Sequence, residues 1–327
     1  MKDRIIVVTG AAGFIGSAVV RHLNDLGYHR LLLVDDIEKT EKWKNLLGKK
    51  FLDFISKHHL FTWLDCNAED VGGIIHLGAC SDTLEKDGDY LMKNNFHYSQ
   101  TLAEMALEEN IRFIYASSAA TYGDGSLGFS DDIDRLEELR PLNLYGFSKH
   151  FFDLWAKQQG ILDRIVGLKY FNVFGPNEND KGHMASMVYK MLPKVKNEGV
   201  VHLFKSSEPD RFRDGEQCRD FIYVKDAARI TCDFLFNNIS GIFNIGRGTP
   251  TTWNELASAL FEAVGREPNI EYIDMPEGLV KQYQNYTCAD MRKFLKKHGK
   301  TGNSDTYNIK EAVCDYVQGY LLKDQRW

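Results

Sequence analysis

Apolar runs of strand length alternate with stretches of helical periodicity through the first half of the chain. Residues 4–9, 31–35, 74–77, 113–117 and 165–171 read as strands, and residues 18–26, 98–109 and 145–159 as helices. Such alternation predicts βαβ units and a parallel sheet, hence an α/β fold. The second half is less regular. Loops rich in Gly, Asn and charge (176–182, 206–217) separate short strands and helices, among them 252–264 and 309–322. The expected layout is a doubly wound parallel sheet over residues 1–172, with later segments returning to it, and a smaller mixed α/β region over 173–327. No internal repeat or low-complexity tract interrupts it.

Composition narrows the function classes. With 327 residues, 43% of them hydrophobic, the chain can bury a large core. A net charge of −6 and the lack of any Lys/Arg cluster argue against a nucleic-acid partner. Cys66, Cys80, Cys218, Cys232, Cys288 and Cys314 are scattered, with no CxxC pair and no histidines at metal spacing. A reduced cytoplasmic protein without a metal site is therefore expected. Basic residues followed by the uncharged run 5–20 imitate a secretory signal, but Gly10, Gly13 and Gly16 break that run every third residue. Nowhere else does an uncharged apolar stretch approach bilayer-spanning length, so a soluble protein without a membrane partner is expected.

The run Val7-Val8-Thr9-Gly10-Ala11-Ala12-Gly13-Phe14-Ile15-Gly16 reads as a strand, a glycine turn and a helix start. Gly10 permits the tight turn, Gly13 lets backbone approach a pyrophosphate, and Gly16 allows close helix–strand packing. The helix N-terminus offers N–H groups and positive dipole to phosphates. Asp35 follows at the end of the next strand, where a carboxylate accepts from ribose hydroxyls. A Rossmann-type dinucleotide site is the reading, against a glycine turn made for packing alone. Asp35 favours NAD, because it repels a 2′-phosphate, whereas Lys39, Lys42 and Lys57 just downstream favour NADP by pairing with one. Leu77-Gly78-Ala79-Cys80 supplies small residues where a cofactor would cross the sheet edge.

Tyr145 and Lys149 lie at i and i+4, on one face of a single helix. The ammonium is expected to favour phenolate and bring the tyrosine down from its ordinary value near 10. Such a pair alone is common. Ser117-Ser118, at the end of the preceding strand, adds a hydroxyl for the same substrate oxygen.

Together, the glycine turn, the Ser118/Tyr145/Lys149 set, Asn94-Asn95 and the segments 171–176 and 219–224 resemble the extended short-chain dehydrogenases/reductases that act on nucleotide sugars. Within them, segments 78–81, 115–123, 181–186 and 283–290 make the chain similar, end to end, to the ADP-L-glycero-D-manno-heptose 6-epimerase family. The resemblance implies a bound NADP, contacted by Gly10, Ala11, Gly13, Phe14, Ile15 and Gly16 in the turn and by Asp35, Asp36, Lys42 and Lys57. Leu77, Gly78, Ala79, Cys80, Ser81, Asn94, Lys149, Val173 and Lys181 complete that implied set. For an ADP-sugar it implies Ser118, Asn172, Phe204, Lys205, Ser206, Ser207, Arg219 and Tyr283, with Arg219 as a phosphate clamp through its planar fork of donors. An insertion near 210–217 makes Arg213 a rival to Arg219. His183 and Lys190 fall at substrate positions where other members carry different residues.

The implied activity inverts C6″ of an ADP-heptose. That carbon is a plain carbinol, so its C–H is too weakly acidic to leave as a proton, and transient oxidation to a ketone by the cofactor is the solution. Two acid/base groups then serve the two faces, Tyr145 and, by resemblance, Lys181, whose amine requires desolvation. The resemblance further implies a homo-oligomer, a pentamer, and cytoplasmic heptose supply for lipopolysaccharide core. A dehydratase would carry an acid pair where Ala119-Ala120 stands. A UDP-hexose 4-epimerase differs in its sugar pocket, and a silent dinucleotide sensor would lack the Tyr/Lys pair.

Overall fold

Continuous apolar runs without alternation suit strands buried on both faces, and the chain uses them to build its centre. A computed structural model describes residues 2–280, 283–298 and 306–327. Its strands are β1 (Ile5–Thr9), β2 (Leu31–Val34), β3 (Asp53–Ile55), β4 (Val71–His76), β5 (Arg112–Ser118), β6 (Val166–Tyr170) and β7 (Asn172–Phe174). After them come β8 (Val201–Phe204), β9 (Cys218–Arg219), β10 (Phe221–Tyr223), β11 (Gly241–Ile245), β12 (Thr251–Thr252) and β13 (Ile270–Ile273). Seven strands form one sheet in the order β11-β6-β5-β4-β1-β2-β3, with every pairing parallel. The chain winds outward from β1 to β3, then crosses back to lay β4 on β1's other side. A ligand crevice forms where the winding reverses, at the carboxyl ends of β1 and β4. This is the Rossmann-type doubly wound α/β sheet that the alternating pattern predicts.

The helices that cover this sheet and the region beyond it are α1 (Phe14–Asp25), α2 (Leu60–Asn67), α3 (Gly88–Leu91), α4 (Tyr98–Glu108), α5 (Leu144–Gln158), α6 (Met187–Asn197), α7 (Val224–Asp233) and α8 (Trp253–Ala263). A second hydrophobic cluster gathers α6, α8, β8 and the C-terminal helix Ile309–Gly319. Capping boxes define the starts of two of these, Thr252 with Glu255 and Asn308 with Glu311.

Two features depart from the sequence expectation. The short edge strand β3 goes unpredicted, because three residues carry no periodicity. The run 165–171 does not continue as one strand: β6 stays in the large sheet, while β7 pairs with β10. That break turns Asn172 and Val173 towards the crevice. From the second half, β11 returns to the large sheet beside β6. No described helix is long and apolar enough to cross a membrane.

Candidate active site

The carboxyl ends of the central strands open onto a cleft of about 940 Å³. At its cofactor end the turn after β1 has little room. Gly10 sits at φ +65°, and a Cβ there would lie 2.8 Å from the Gly78 backbone nitrogen. A Cβ on Gly16 would collide with the Gly10 carbonyl. Gly13 caps α1 with no side-chain bond and no acid in the first turn, so its orphan N–H groups are available to a phosphate. Phe14, Ile15 and Gly16 line the same wall, whereas Ala11 is fully buried beneath the turn.

Asp35 stands at the end of β2 with its oxygens already engaged. It accepts from the Ala12 N–H (2.9 Å), the Asp36 N–H (2.8 Å) and Lys42 Nζ (3.0 Å). Burial raises the Asp36 carboxyl, but a hydrogen bond from Ser56 and the charges of Lys57 and His58 outweigh it, so its pKa is lowered. Lys57 Nζ donates to Asn94 Oδ1 at 3.0 Å. Asn94 belongs to a π-helical turn, Met92–His97, an irregularity frequent at functional sites. In the same turn Asn95 takes the Cys80 N–H (2.9 Å) and donates to the Cys80 carbonyl (2.9 Å), fixing the Leu77–Ser81 loop along the cleft. A dinucleotide fits this wall: glycine cradle, free helix N-terminus, acid and two lysines in sequence.

Further along, Ser118 ends β5 and is hydrogen-bonded to the Tyr145 hydroxyl, while Asn143 caps α5 through the Gly146 N–H. Tyr145 and Lys149 line the cleft one helical turn apart. The expected lowering of Tyr145 does not occur. Burial raises its pKa, the Ser118 hydrogen bond opposes this, and Lys149 Nζ donates instead to the Ala116 carbonyl at 2.9 Å. Burial holds Lys149 at about 8, with Asp153 and Cys80 opposing. Lys181 enters from the loop after β7, with Nζ 5.7 Å from the Phe14 ring centre. Burial lowers its pKa and Glu178 opposes, which meets the desolvation an amine base requires.

The sugar positions implied by the resemblance mostly lie off the cleft: Phe204 to Ser207, Arg213, Arg219 and Tyr283 are absent from its lining, and Arg219 is 9% exposed. Its guanidinium lies 5.0 Å from the Tyr283 ring centre and 5.7 Å from that of Trp253, and Trp253 Nε1 donates to the Tyr283 hydroxyl at 2.8 Å. A surface ion pair with Asp220 is excluded, because Asp220 is fully buried and accepts from the N–H groups of Arg247, Gly248 and Ala289. Arg213 is exposed. Phe204 packs on Tyr283, and the following residues hold local partners: Lys205 with Asp274, Ser206 with Asp214, Ser207 with Asn285. Asn172 lines the cleft. His183 and Lys190 do not: exposed His183 pairs with Asp82 at 3.0 Å, and Lys190 Nζ donates to the His183 carbonyl at 2.5 Å. Both stand at the rim because their side chains find partners there. Tyr98, Asn143, Met184, Gln284 and Thr287 also line the cleft. Sequence reasoning gave them no role, since each is an ordinary residue without a spacing signature.

Residues 6–246 match the NAD dependent epimerase/dehydratase family. The chain belongs to that family. A curated relative from Nitratidesulfovibrio vulgaris, an ADP-L-glycero-D-manno-heptose-6-epimerase, is 48% identical over 96% of this chain and 97% of its own. One of the same name from Fusobacterium nucleatum is 45% identical, over 99% and 100%. Among solved structures, the Helicobacter pylori ADP-L-glycero-D-manno-heptose-6-epimerase superposes with a TM-score of 0.79 at 27% identity, covering 97% of this chain and 96% of that one. The Thermotoga maritima UDP-glucose 4-epimerase does so with 0.77 at 25%, covering 98% and 99%. The resemblance drawn from the sequence is borne out, and for this epimerase/dehydratase member the cleft's cofactor is a nicotinamide dinucleotide.

Proposed function

We propose that the chain inverts C6″ of ADP-D-glycero-D-manno-heptose to the L-glycero epimer. One cleft lined by both Tyr145 and Lys181 is the observation that carries this, together with the relatives' names. When bound, the nicotinamide supplies transient oxidation of the carbinol to a ketone and its reduction back. Tyr145, once in its phenolate form, takes the hydroxyl proton of one epimer; the Ser118 hydrogen bond opposes the rise that burial imposes, and the Lys149 charge lies one helical turn away. Lys181, desolvated and lowered, serves the other epimer. Arg219, buried between rings, clamps the diphosphate in preference to the exposed Arg213, while Phe204 and Tyr283 flank the sugar nucleotide.

The cofactor we propose is NADP. With Asp35 already neutralised by Lys42, the lysines Lys42 and Lys57 are the charges a 2′-phosphate would meet. Division of labour falls near residue 172, cofactor before it and substrate mainly after. Six free thiols suit a reducing cytoplasm. Exposed Leu142, Leu144, Phe147 and Phe151 suit a homo-oligomer, and the pentamer implied by the resemblance is our reading.

Proton NMR of the ADP-heptose in heavy water tests the function. Inversion at C6″ without deuterium there is expected; deuterium at C6″, or no inversion, overturns it. UDP-glucose run in parallel separates the 4-epimerase reading that the Thermotoga maritima structure favours.

A further inference from the structure

Behind the catalytic face lies an ion pair with no access to solvent. Lys169 Nζ on β6 meets Asp153 Oδ2 on α5 at 2.6 Å, both side chains fully buried. The two charges carry a connected set of hydrogen bonds. Asp153 accepts from the Tyr115 hydroxyl (2.9 Å) and from Ser117 Oγ (2.8 Å), while Lys169 also donates to Thr121 Oγ1 (2.6 Å). Thr121 Oγ1 in turn donates to the Ser118 carbonyl at 2.8 Å. One turn before Asp153 on the same helix, Lys149 holds the Ala116 carbonyl. Every residue from Tyr115 to Ser118 is thereby tied to α5 or, through Thr121, to β6.

Stability alone does not account for the pair. Taking two charges out of water is costly, and a well-packed apolar pair of similar volume is often as stable or more so. What an apolar pair lacks is direction, and here each bond ends on the strand that presents Ser118. We propose that Asp153 and Lys169 are positioning residues whose buried ion pair sets the end of β5 against α5, and so Ser118 against Tyr145 and Lys149. This rests on the reading of those three as the catalytic set.

Asp153 also acts through charge. Lys149 is faced by Tyr145 and Asp153 from its own helix, by His76 on β4 and Cys80 after it, and by Ser118 on β5. Asp153 is faced by Lys169, Tyr115, Tyr122 and His150. Among the groups facing Lys149, Asp153 is the carboxylate, and its removal leaves that ammonium less supported.

The test compares Asp153→Asn, Lys169→Met and the double variant Asp153→Leu/Lys169→Met with wild type. Three quantities are read: the melting temperature, kcat and KM for the ADP-heptose, and the phenolate absorbance of each protein minus that of its Tyr145→Phe counterpart against pH. The double variant is expected to melt at or above wild type, with KM held and kcat reduced about ten- to hundredfold by displaced geometry. Recovery of both melting temperature and kcat in the double variant overturns the proposal, since the pair would then be structural only. Asp153→Asn keeps the side-chain shape, and its Lys149-dependent pH limb is expected about one unit lower; an unmoved profile in a folded protein counts against the proposal. The phenolate titration needs no substrate. A wild type that fails to turn over ADP-heptose therefore refutes the proposed function, while an unshifted Tyr145 titration in the variants refutes the positioning role.

Discussion

The cofactor wall of the cleft and the cluster around Arg219 are made differently. At the cofactor end the wall is mostly main chain: the turn at Gly10, the uncapped start of α1 and the Leu77–Ser81 loop, all held at adjacent strand ends. Around Arg219, where the substrate nucleotide is proposed to sit, side chains from distant segments converge, Arg219 between Trp253 and Tyr283, with Phe204 beside them. A backbone site is insensitive to side-chain identity except where a side chain would intrude. A convergent side-chain site is sensitive at each contributor. Tyr145 and Lys181 line the same cleft, and the acid/base chemistry is proposed for them.

The largest effects are expected at these two residues. Tyr145→Phe and Lys181→Met should each lower epimerisation by about 10² to 10⁴, the usual contribution of a general acid/base group. Melting temperature and retained nicotinamide should stay at wild-type values. Near-normal turnover in Lys181→Met would leave Tyr145 as sole base and move Lys181 out of the chemistry. Next in size is Arg219→Ala. Loss of a charge-assisted contact is worth about 1.5–3 kcal/mol, so KM should rise roughly ten- to hundredfold. Arg219→Lys, which lacks the planar fork, should recover little of it. A matching KM effect from exposed Arg213→Ala would reverse the assignment of the clamp.

The same contrast explains what the sequence disclosed. Gly10 to Gly16 and Asp35 form a local pattern, because a backbone turn is built from neighbours, so the cofactor wall was legible. Tyr145 and Lys149 were legible through helical spacing, and Ser118 as a strand end. The environment was not. Tyr145 was expected low and stands high, since burial depends on segments packing over it from elsewhere in the chain. Arg219 gave no sign of its two rings, and neither Asp153 nor Lys169 announced a partner across the sheet. Lys181, in a loop without a spacing signature, takes its role from the family resemblance alone. In the structure it is desolvated.

A third measurement sharpens the backbone side. Gly10→Ala keeps the smallest side chain, yet its Cβ must sit against the Gly78 backbone at a φ of +65°. Strain of this kind costs about 1–3 kcal/mol, expressed as cofactor lost on gel filtration and a lower melting temperature. Phe14→Leu, one residue into α1, replaces a side chain without touching the turn and should retain cofactor. Equal loss from both would mean that the wall binds through side chains after all.

The smallest effect expected is on cofactor choice. Lys42 and Lys57 are the side chains at the cofactor end on which discrimination is proposed to rest, and both already hold partners, Asp35 and Asn94. A 2′-phosphate must compete with those partners, and the lysine side chains are 22% and 32% exposed. Solvent screening reduces what each contact contributes. Replacing both with Ala should therefore weaken NADP binding relative to NAD by about tenfold, or about 1.4 kcal/mol, rather than by the full worth of two ionic hydrogen bonds. Removing Lys42 also frees Asp35, whose carboxylate then repels the 2′-phosphate and accepts from an unmodified ribose, so NAD affinity should hold or rise. Titrating apoprotein with each cofactor by nicotinamide fluorescence gives the ratio directly. If both affinities fall equally, the two lysines do not distinguish the cofactors, and selectivity at this end resides in the backbone like the rest of it.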